Sequence, residues 1–174
     1  RMLRDKSQTD YHGKSQNEYM FELLTACTSN TFISVRQSQE ADVRSIQDTF
    51  TGLGPYGAIL SAFRQDPDAA WLVTACDQPF LTKATLDFLI SHRNPSKTAT
   101  AFFNPETGFP EPLITIWEPK AYAHLLYFLS QGYSCPRKVL INTDIAIVHL
   151  DDPSVLANVN TPQEYELAIS KLKP

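Results

Sequence analysis

The feature that most limits how this chain can fold is a near-continuous apolar run at residues 69–76, AAWLVTAC. Asp68 precedes the run and Asp77 follows it. A short apolar run between polar residues is typical of a strand covered on both faces, as in a parallel sheet. The run therefore predicts a strand near the middle of a sheet, with a carboxylate directly after its carboxyl end.

Segments with strand and helix patterns alternate along the rest of the chain. Short apolar segments rich in β-branched or aromatic side chains predict strands at residues 31–35, 99–103, 113–117 and 146–150. Helical spacing of apolar residues and capping signals predict helices at residues 16–27, 58–64, 82–92, 119–131 and 161–172. Residues 138–142 fit either a short helix or a strand. The alternation predicts a single three-layer α/β domain over residues 1–174, with a mostly parallel sheet.

Composition narrows the class of protein. The 174 residues are 43% hydrophobic and 20% charged, which is ordinary for a globular domain. A net charge of −4 argues against binding nucleic acid or anionic lipid mainly by charge, and no apolar run is long enough to span a membrane. The three cysteines, Cys27, Cys76 and Cys135, show neither a disulfide framework nor a zinc-site spacing. Together these features predict a cytoplasmic protein.

Three loops are candidates for chemistry, because ligands of open α/β sheets bind beyond the carboxyl ends of strands. Asp77 is placed to hold a divalent cation against phosphate oxygens, or to cap a turn. The glycines of residues 52–57 allow close backbone approach to a ligand, or form an ordinary turn. Asn158 and Asn160 either cap the last helix or reach a metal and phosphate from the opposite side. The four histidines do not cluster at the spacing of metal ligands, so we expect each of them to lie at the surface or in the core.

Five short motifs occur in a characteristic order: RMLRDK at 1–6, YHGK at 11–14, GPYG at 54–57, CDQPFL at 76–81 and NVNTP at 158–162. In this order they resemble the MobA-type molybdenum cofactor guanylyltransferase family, within the larger group of nucleotidyltransferases. The resemblance extends over the whole chain and implies a Rossmann-like nucleotidyltransferase domain. It also implies that the family's first strand and Gly-rich loop are missing from this sequence, and that Leu3 stands where the family has glycine.

The resemblance assigns roles by position. Lys6 corresponds to a catalytic lysine at the nucleotide phosphates, and Asp77 to a catalytic, nucleotide-binding aspartate that holds Mg²⁺. Asn158 and Asn160 correspond to asparagines on the other side of that metal. The remaining nucleotide-binding positions are Arg1, Ser34, Asp48 and Gly54. Residues 111–113 occupy the segment that lines the acceptor side in the family.

The activity that the resemblance implies is transfer of a guanylyl group from GTP to the phosphate of a molybdopterin-type acceptor, with release of pyrophosphate. It implies Mg²⁺ as cofactor, a monomer or weak oligomer, and contacts with other cofactor-biosynthesis proteins. A cytidylyltransferase or another nucleotidyltransferase is the first alternative. A catalytically impaired nucleotide-binding module is the second, and Leu3 favours it. A metal-dependent glycosyltransferase is a weaker interpretation, because Gln78 and Pro79 follow Asp77 where an Asp-x-Asp pair is expected.

Overall fold

A computed structural model describes residues 8–39 and 42–172 of the chain. Strands and helices alternate through these residues. The strands are β1 (Ile33–Val35), β2 (Ser45–Gln47), β3 (Trp71–Thr74), β4 (Ala99–Asn104), β5 (Phe109–Trp117) and β6 (Ala146–Val148). The helices are α1 (Gln16–Thr25), α2 (Pro55–Gln65), α3 (Lys83–Ser91), α4 (Ala121–Ser130), α5 (Pro136–Ile141) and α6 (Pro162–Leu172), with a 3₁₀ turn at Pro153–Leu156.

The strands form two sheets. β1 and β2 are a parallel pair, with Ser34 opposite Ile46. The larger sheet has the order β3-β5-β4-β6. In it β5 is antiparallel to both β3 and β4, whereas β4 and β6 are parallel. β3, β4 and β6 therefore run in one direction and β5 runs in the other. The predicted α/β fold is confirmed, and the larger sheet is mixed, with three of its four strands running in the same direction.

Two apolar clusters on opposite faces of the larger sheet give the domain its layers. Side chains of α2, α4 and α5, including Phe63 and Leu125, pack with Trp117 of β5. On the other face, side chains of α1 and α3 pack with Phe102 and Ile114. Successive strand residues point to opposite faces, and this alternation supplies both clusters from the same strands. The predicted three-layer arrangement is confirmed.

The position predicted for the apolar run differs from the structure. Among the described residues β3 is the terminal strand of its sheet, with β5 as its neighbour. All four of its residues are half-buried, and they also line a cavity of about 530 Å³ together with residues of α1, β1 and α2. The prediction of a central strand is therefore wrong for the described part of the chain, whereas both faces of β3 are covered: Trp71 and Val73 pack against one apolar cluster and Leu72 against the other. The run is apolar on both faces, but hydropathy does not determine which strands pair with it.

The ends of several elements follow from local capping. Ser15 caps α1 through a reciprocal pair of bonds with Glu18, a capping box. Thr82 caps α3, as the sequence predicts. The undecided segment near residues 138–142 is α5, which begins at Pro136, a residue suited to the first helical turn. α2 also begins with a proline, Pro55, three residues earlier than predicted.

Gly57 has a steric role within the fold. A Cβ added at this position would lie 2.1 Å from the backbone oxygen of Phe50. The glycine-rich stretch predicted a close approach of the backbone to a ligand. At Gly57 the close neighbour is instead the backbone of the chain itself. Gly52 and Gly54 adopt left-handed backbone conformations, with φ of 75° and 56°, which glycine adopts without steric penalty.

We expect Gly57→Ala to lower the free energy of unfolding by about 1–3 kcal/mol, because the added methyl must displace a backbone carbonyl. Chemical denaturation measures the change. Gly108→Ala is the control, since a Cβ there meets nothing within 4 Å and the substitution reports only the strain of a φ of 73°. A Gly57→Ala protein as stable as the parent would show that the 50–57 loop is not tightly packed.

Candidate active site

Asp77 lies in a turn directly after β3. The strand ends at Thr74, and the buried side chain of Gln78 folds back so that its Oε1 accepts a hydrogen bond from the backbone N–H of Ala75 at 3.1 Å. The Asp77 residue itself is half-buried. The turn therefore places a carboxylate with partial solvent access beyond the carboxyl end of β3, as the sequence predicted.

The segment around Val159 lies against this turn. The backbone N–H of Val159 donates to the backbone oxygen of Asp77 at 2.8 Å. Val159 is buried, whereas Asn158 and Asn160 on either side of it are exposed. The structure thus brings Asn158, Asn160 and Asp77 into one neighbourhood, although 80 residues separate them in sequence.

The start of α6 distinguishes between the two roles considered for the asparagines. The Glu164 carboxylate accepts from the backbone N–H groups of Asn160 and Thr161 at 2.6 and 3.0 Å. The Thr161 hydroxyl accepts from the backbone N–H of Glu164 at 3.2 Å. This is a capping box, in which Thr161 and Glu164 supply the capping side chains.

A buried carboxylate on β5 faces the same region. Glu111 is 3% exposed, and the amide of Asn104 donates to its Oε2 at 3.3 Å. Burial raises the pKa of Glu111, the Asn104 hydrogen bond and the positive charge of Arg137 oppose that rise, and the charge of Asp77 adds to it. Glu111 belongs to the segment that the resemblance assigns to the acceptor side. Sequence reasoning gave Arg137 no role, because nothing local to α5 links it to β5.

Tyr11 is the second buried group beside Asp77. It is 4% exposed and its ring lies edge-on to that of Tyr165, with centroids 5.2 Å apart. Burial, and to a smaller extent the charges of Tyr165 and Asp77, raise the pKa of Tyr11 to about 12. The phenol is therefore neutral at physiological pH. It lies close to Asp77 and to Tyr165 of α6.

A second group of predicted residues gathers at the smaller sheet. The Ser34 hydroxyl, on β1, donates to Oδ1 of Asp48 at 2.8 Å. Asp48 follows β2, and its backbone N–H donates to the carbonyl of Val35 at 2.8 Å. Gly54 is the residue before α2. The structure thus pairs two of the residues predicted to bind the nucleotide.

The donor set around Asp77 sets limits on a metal. Among residues 8–39 and 42–172, no group of three or more His, Cys, Asp and Glu side chains could hold a metal ion. A cation at Asp77 would bind its carboxylate, with amide oxygens of Asn158 or Asn160 and water as candidates for the further ligands. Mg²⁺ suits such a set, since it binds hard oxygens and keeps several waters. Cys76 and His12 also lie near this turn, but the described residues contain no group of three or more such side chains of the kind that a Zn²⁺ site needs.

Two predicted site residues, Arg1 and Lys6, lie outside the described residues. Their roles remain predictions from the resemblance. In the part of the chain that the structure covers, no helix is both long and apolar enough to cross a membrane.

Comparison with known proteins identifies a family and a fold. A family model described as the MobA-like NTP transferase domain matches residues 1–146. A solved structure of molybdopterin-guanine dinucleotide biosynthesis protein A from Archaeoglobus fulgidus superposes with a TM-score of 0.77 at 20% identity, covering 97% of this chain and 91% of that one. At that identity the superposition shows the fold alone. The extent of the domain over residues 1–174 stays a prediction.

Two curated relatives agree with the family model. The molybdenum cofactor biosynthesis bifunctional protein of Synechocystis sp. is 29% identical over 170 residues, which are 95% of this chain and 49% of that protein. The molybdenum cofactor guanylyltransferase of a Shewanella species is 23% identical over 95% of this chain and 87% of its own length. The chain thus spans about half the length of the first relative and most of the second.

Proposed function

The chain belongs to the MobA-like NTP transferase domain family, and from that premise we propose that it transfers a guanylyl group from GTP to the phosphate of a molybdopterin-type acceptor. The observation that carries the proposal is the hydrogen bond from Val159 to Asp77. It joins two of the motifs on which the resemblance depends into one oxygen-rich site at the carboxyl end of β3. The names of the Synechocystis and Shewanella relatives supply the substrate class.

The reaction needs little from the protein beyond alignment and charge. An oxygen of the acceptor phosphate attacks the α-phosphorus of GTP, a new P–O–P linkage forms, and the bond to the β-phosphate oxygen breaks to release pyrophosphate. The attacking phosphate is already an anion at neutral pH, so no side chain has to remove a proton. Catalysis of this kind is mainly positioning and electrostatic stabilisation.

The residues of this chain divide those tasks. Asp77, with Asn158 or Asn160, would hold Mg²⁺, which supplies positive charge at the phosphates when it is bound. Lys6 would place an ammonium group against the same phosphates, with Arg1 as its companion. A net charge of −4 is compatible with polyanionic substrates, because two or three local cations suffice to bind them.

The hydrogen bond between Ser34 and Asp48 supports a role for these two residues in recognising the base. A carboxylate that is held by a hydroxyl at 2.8 Å accepts hydrogen bonds, and the Watson–Crick edge of guanine carries two adjacent N–H donors. Cytosine offers one amino group on that edge. A fixed carboxylate therefore favours guanine, since a mismatched base leaves a polar group unpaired.

The experiment that tests the proposal is a transfer assay with the full-length protein, Mg²⁺, molybdopterin and each of the four common nucleoside triphosphates. Of the four nucleotides, we expect only GTP to give pyrophosphate release and a molybdopterin guanine dinucleotide product. A cytidine product would overturn the guanylyl assignment in favour of the cytidylyltransferase alternative. Nucleotide binding without pyrophosphate release would favour the binding module. Cytoplasmic location, weak or no oligomerisation and contacts with other cofactor-biosynthesis proteins are part of the same proposal.

A further inference from the structure

The loop of residues 77–81, which carries Asp77, is held by its backbone carbonyls. It contains neither helix nor strand, so its carbonyls have no partners in a regular element and need other hydrogen-bond donors. The carbonyls of Asp77, Gln78, Pro79 and Leu81 each accept a hydrogen bond from outside the loop, and that of Gln78 also accepts one from the backbone N–H of Leu81. The donors are the Val159 N–H at 2.8 Å, Gln16 Nε2 at 3.4 Å, His12 Nε2 at 2.9 Å and the Tyr19 hydroxyl at 3.0 Å.

Three of these four donors come from residues 12–19. The His12 ring stacks on the Tyr19 ring, with centroids 3.7 Å apart and planes 15° from parallel. The stacked pair therefore contacts the loop at two carbonyls, those of Pro79 and Leu81. Because a carbonyl oxygen only accepts, the Nε2 atom of His12 must carry a proton in this arrangement.

The two rings contribute different things to the contact. Stacking orients each ring against the other, and the hydrogen bonds transmit that orientation to the loop. Burial raises the pKa of the Tyr19 hydroxyl, so it stays a neutral donor at physiological pH. Residues 11–14 formed one of the five sequence motifs, yet the motif had no assigned role and His12 was expected to serve only the surface or core.

We propose that His12 is a positioning residue, which through the Pro79 carbonyl fixes the loop of residues 77–81 and so orients the Asp77 carboxylate toward a divalent cation. This inference rests on the proposed function, because it needs Asp77 as a metal ligand. A functional group must be held within about 0.5 Å of its productive position to act. Removing a residue that orients a ligand typically weakens metal affinity or activity 10–100-fold.

Two substitutions separate the hydrogen bond from the stacking. His12→Phe keeps a ring against Tyr19 and loses the donor, whereas His12→Gln loses the ring and keeps an N–H that reaches the Pro79 carbonyl. Binding of Mn²⁺ to the full-length protein in the presence of GTP is measured by electron paramagnetic resonance. We expect about tenfold weaker Mn²⁺ binding in His12→Phe and recovery of most of that loss in His12→Gln.

The same variants are tested for steady-state kinetics and thermal stability. We expect the Mg²⁺ concentration for half-maximal rate to rise in His12→Phe while the rate at saturating Mg²⁺ changes less. We expect the melting temperature to fall more in His12→Gln, which loses the ring, than in His12→Phe, which keeps it. His92→Phe is the control, because the Nδ1 atom of that exposed histidine, which directly follows α3, donates to the backbone carbonyl of Phe88 in the last turn of the same helix.

The outcomes distinguish the two proposals. Mn²⁺ binding that is retained by His12→Phe and lost by His12→Gln would overturn the positioning role and leave a packing role. Equal Mn²⁺ binding by the parent and both variants would overturn it as well. A parent protein that binds no Mn²⁺ with GTP would instead overturn the proposed function, together with this inference.

Discussion

Replacing Asp77 by Asn should reduce Mg²⁺-dependent turnover by at least about a hundredfold and leave the fold intact. The substitution replaces an anionic carboxylate ligand by a neutral amide, which binds Mg²⁺ more weakly, while the shape of the side chain is kept. Loss of a properly placed metal removes several kcal/mol of charge stabilisation in the transition state, and each 1.4 kcal/mol is a factor of ten in rate. The measurement is kcat as a function of Mg²⁺ concentration, with circular dichroism to confirm the fold.

Asp68→Asn is the matched control for this experiment. It makes the same change of charge just before β3, at an exposed position near the opposite end of that strand. We expect it to have the kinetics of the parent protein. If Asp77→Asn kept the parent rate at saturating Mg²⁺, the assignment of the metal site would be wrong, whereas an equal loss in both variants would indicate a general effect of charge.

Local sequence patterns predicted much of this fold and part of the site. The apolar run at residues 69–76 contains β3, and Thr161 followed by Glu164 formed the predicted helix start. These predictions succeeded because strand hydropathy and helix capping are determined by residues that are close in sequence. Gathering Asp77, Asn158 and Asn160 was predictable for another reason, since loops that follow strands of one direction meet at the same edge of a sheet.

The remaining features depend on contacts between distant residues. β5 lies between β3 and β4 in the sheet and is reversed, an arrangement that strand periodicity does not encode. The start of β5 was missed, because Pro110 and Pro112 gave its first residues the pattern of a loop. Likewise, His12 contacts the carbonyl of Pro79 across 67 residues. Nothing in the neighbourhood of either residue in sequence indicates the bond.

Removing the carboxylate of Asp48 should narrow the preference of the protein for GTP. In the parent we expect GTP with Mg²⁺ to bind more tightly than CTP, ATP or UTP, because a mismatched base leaves unpaired a polar group that the bound nucleotide covers, at about 1–3 kcal/mol per group. Asp48→Ala removes the acceptor and should reduce the ratio of GTP to CTP affinity about tenfold or more. Ser34→Ala removes only the hydroxyl that donates to Asp48 at 2.8 Å, so its effect should have the same direction and be smaller.

Lys6→Ala provides the contrast that makes this result interpretable. An ammonium group at the phosphates interacts with every nucleoside triphosphate, so its loss should weaken all four by a similar factor and leave the GTP to CTP ratio unchanged. Calorimetric titration of the four nucleotides against the three variants measures both quantities. A uniform loss of affinity in Asp48→Ala would place Asp48 away from the base. Tighter binding of CTP than GTP by the parent would contradict the guanylyl assignment itself, because a site in which the carboxylate of Asp48 binds the edge of guanine must prefer GTP.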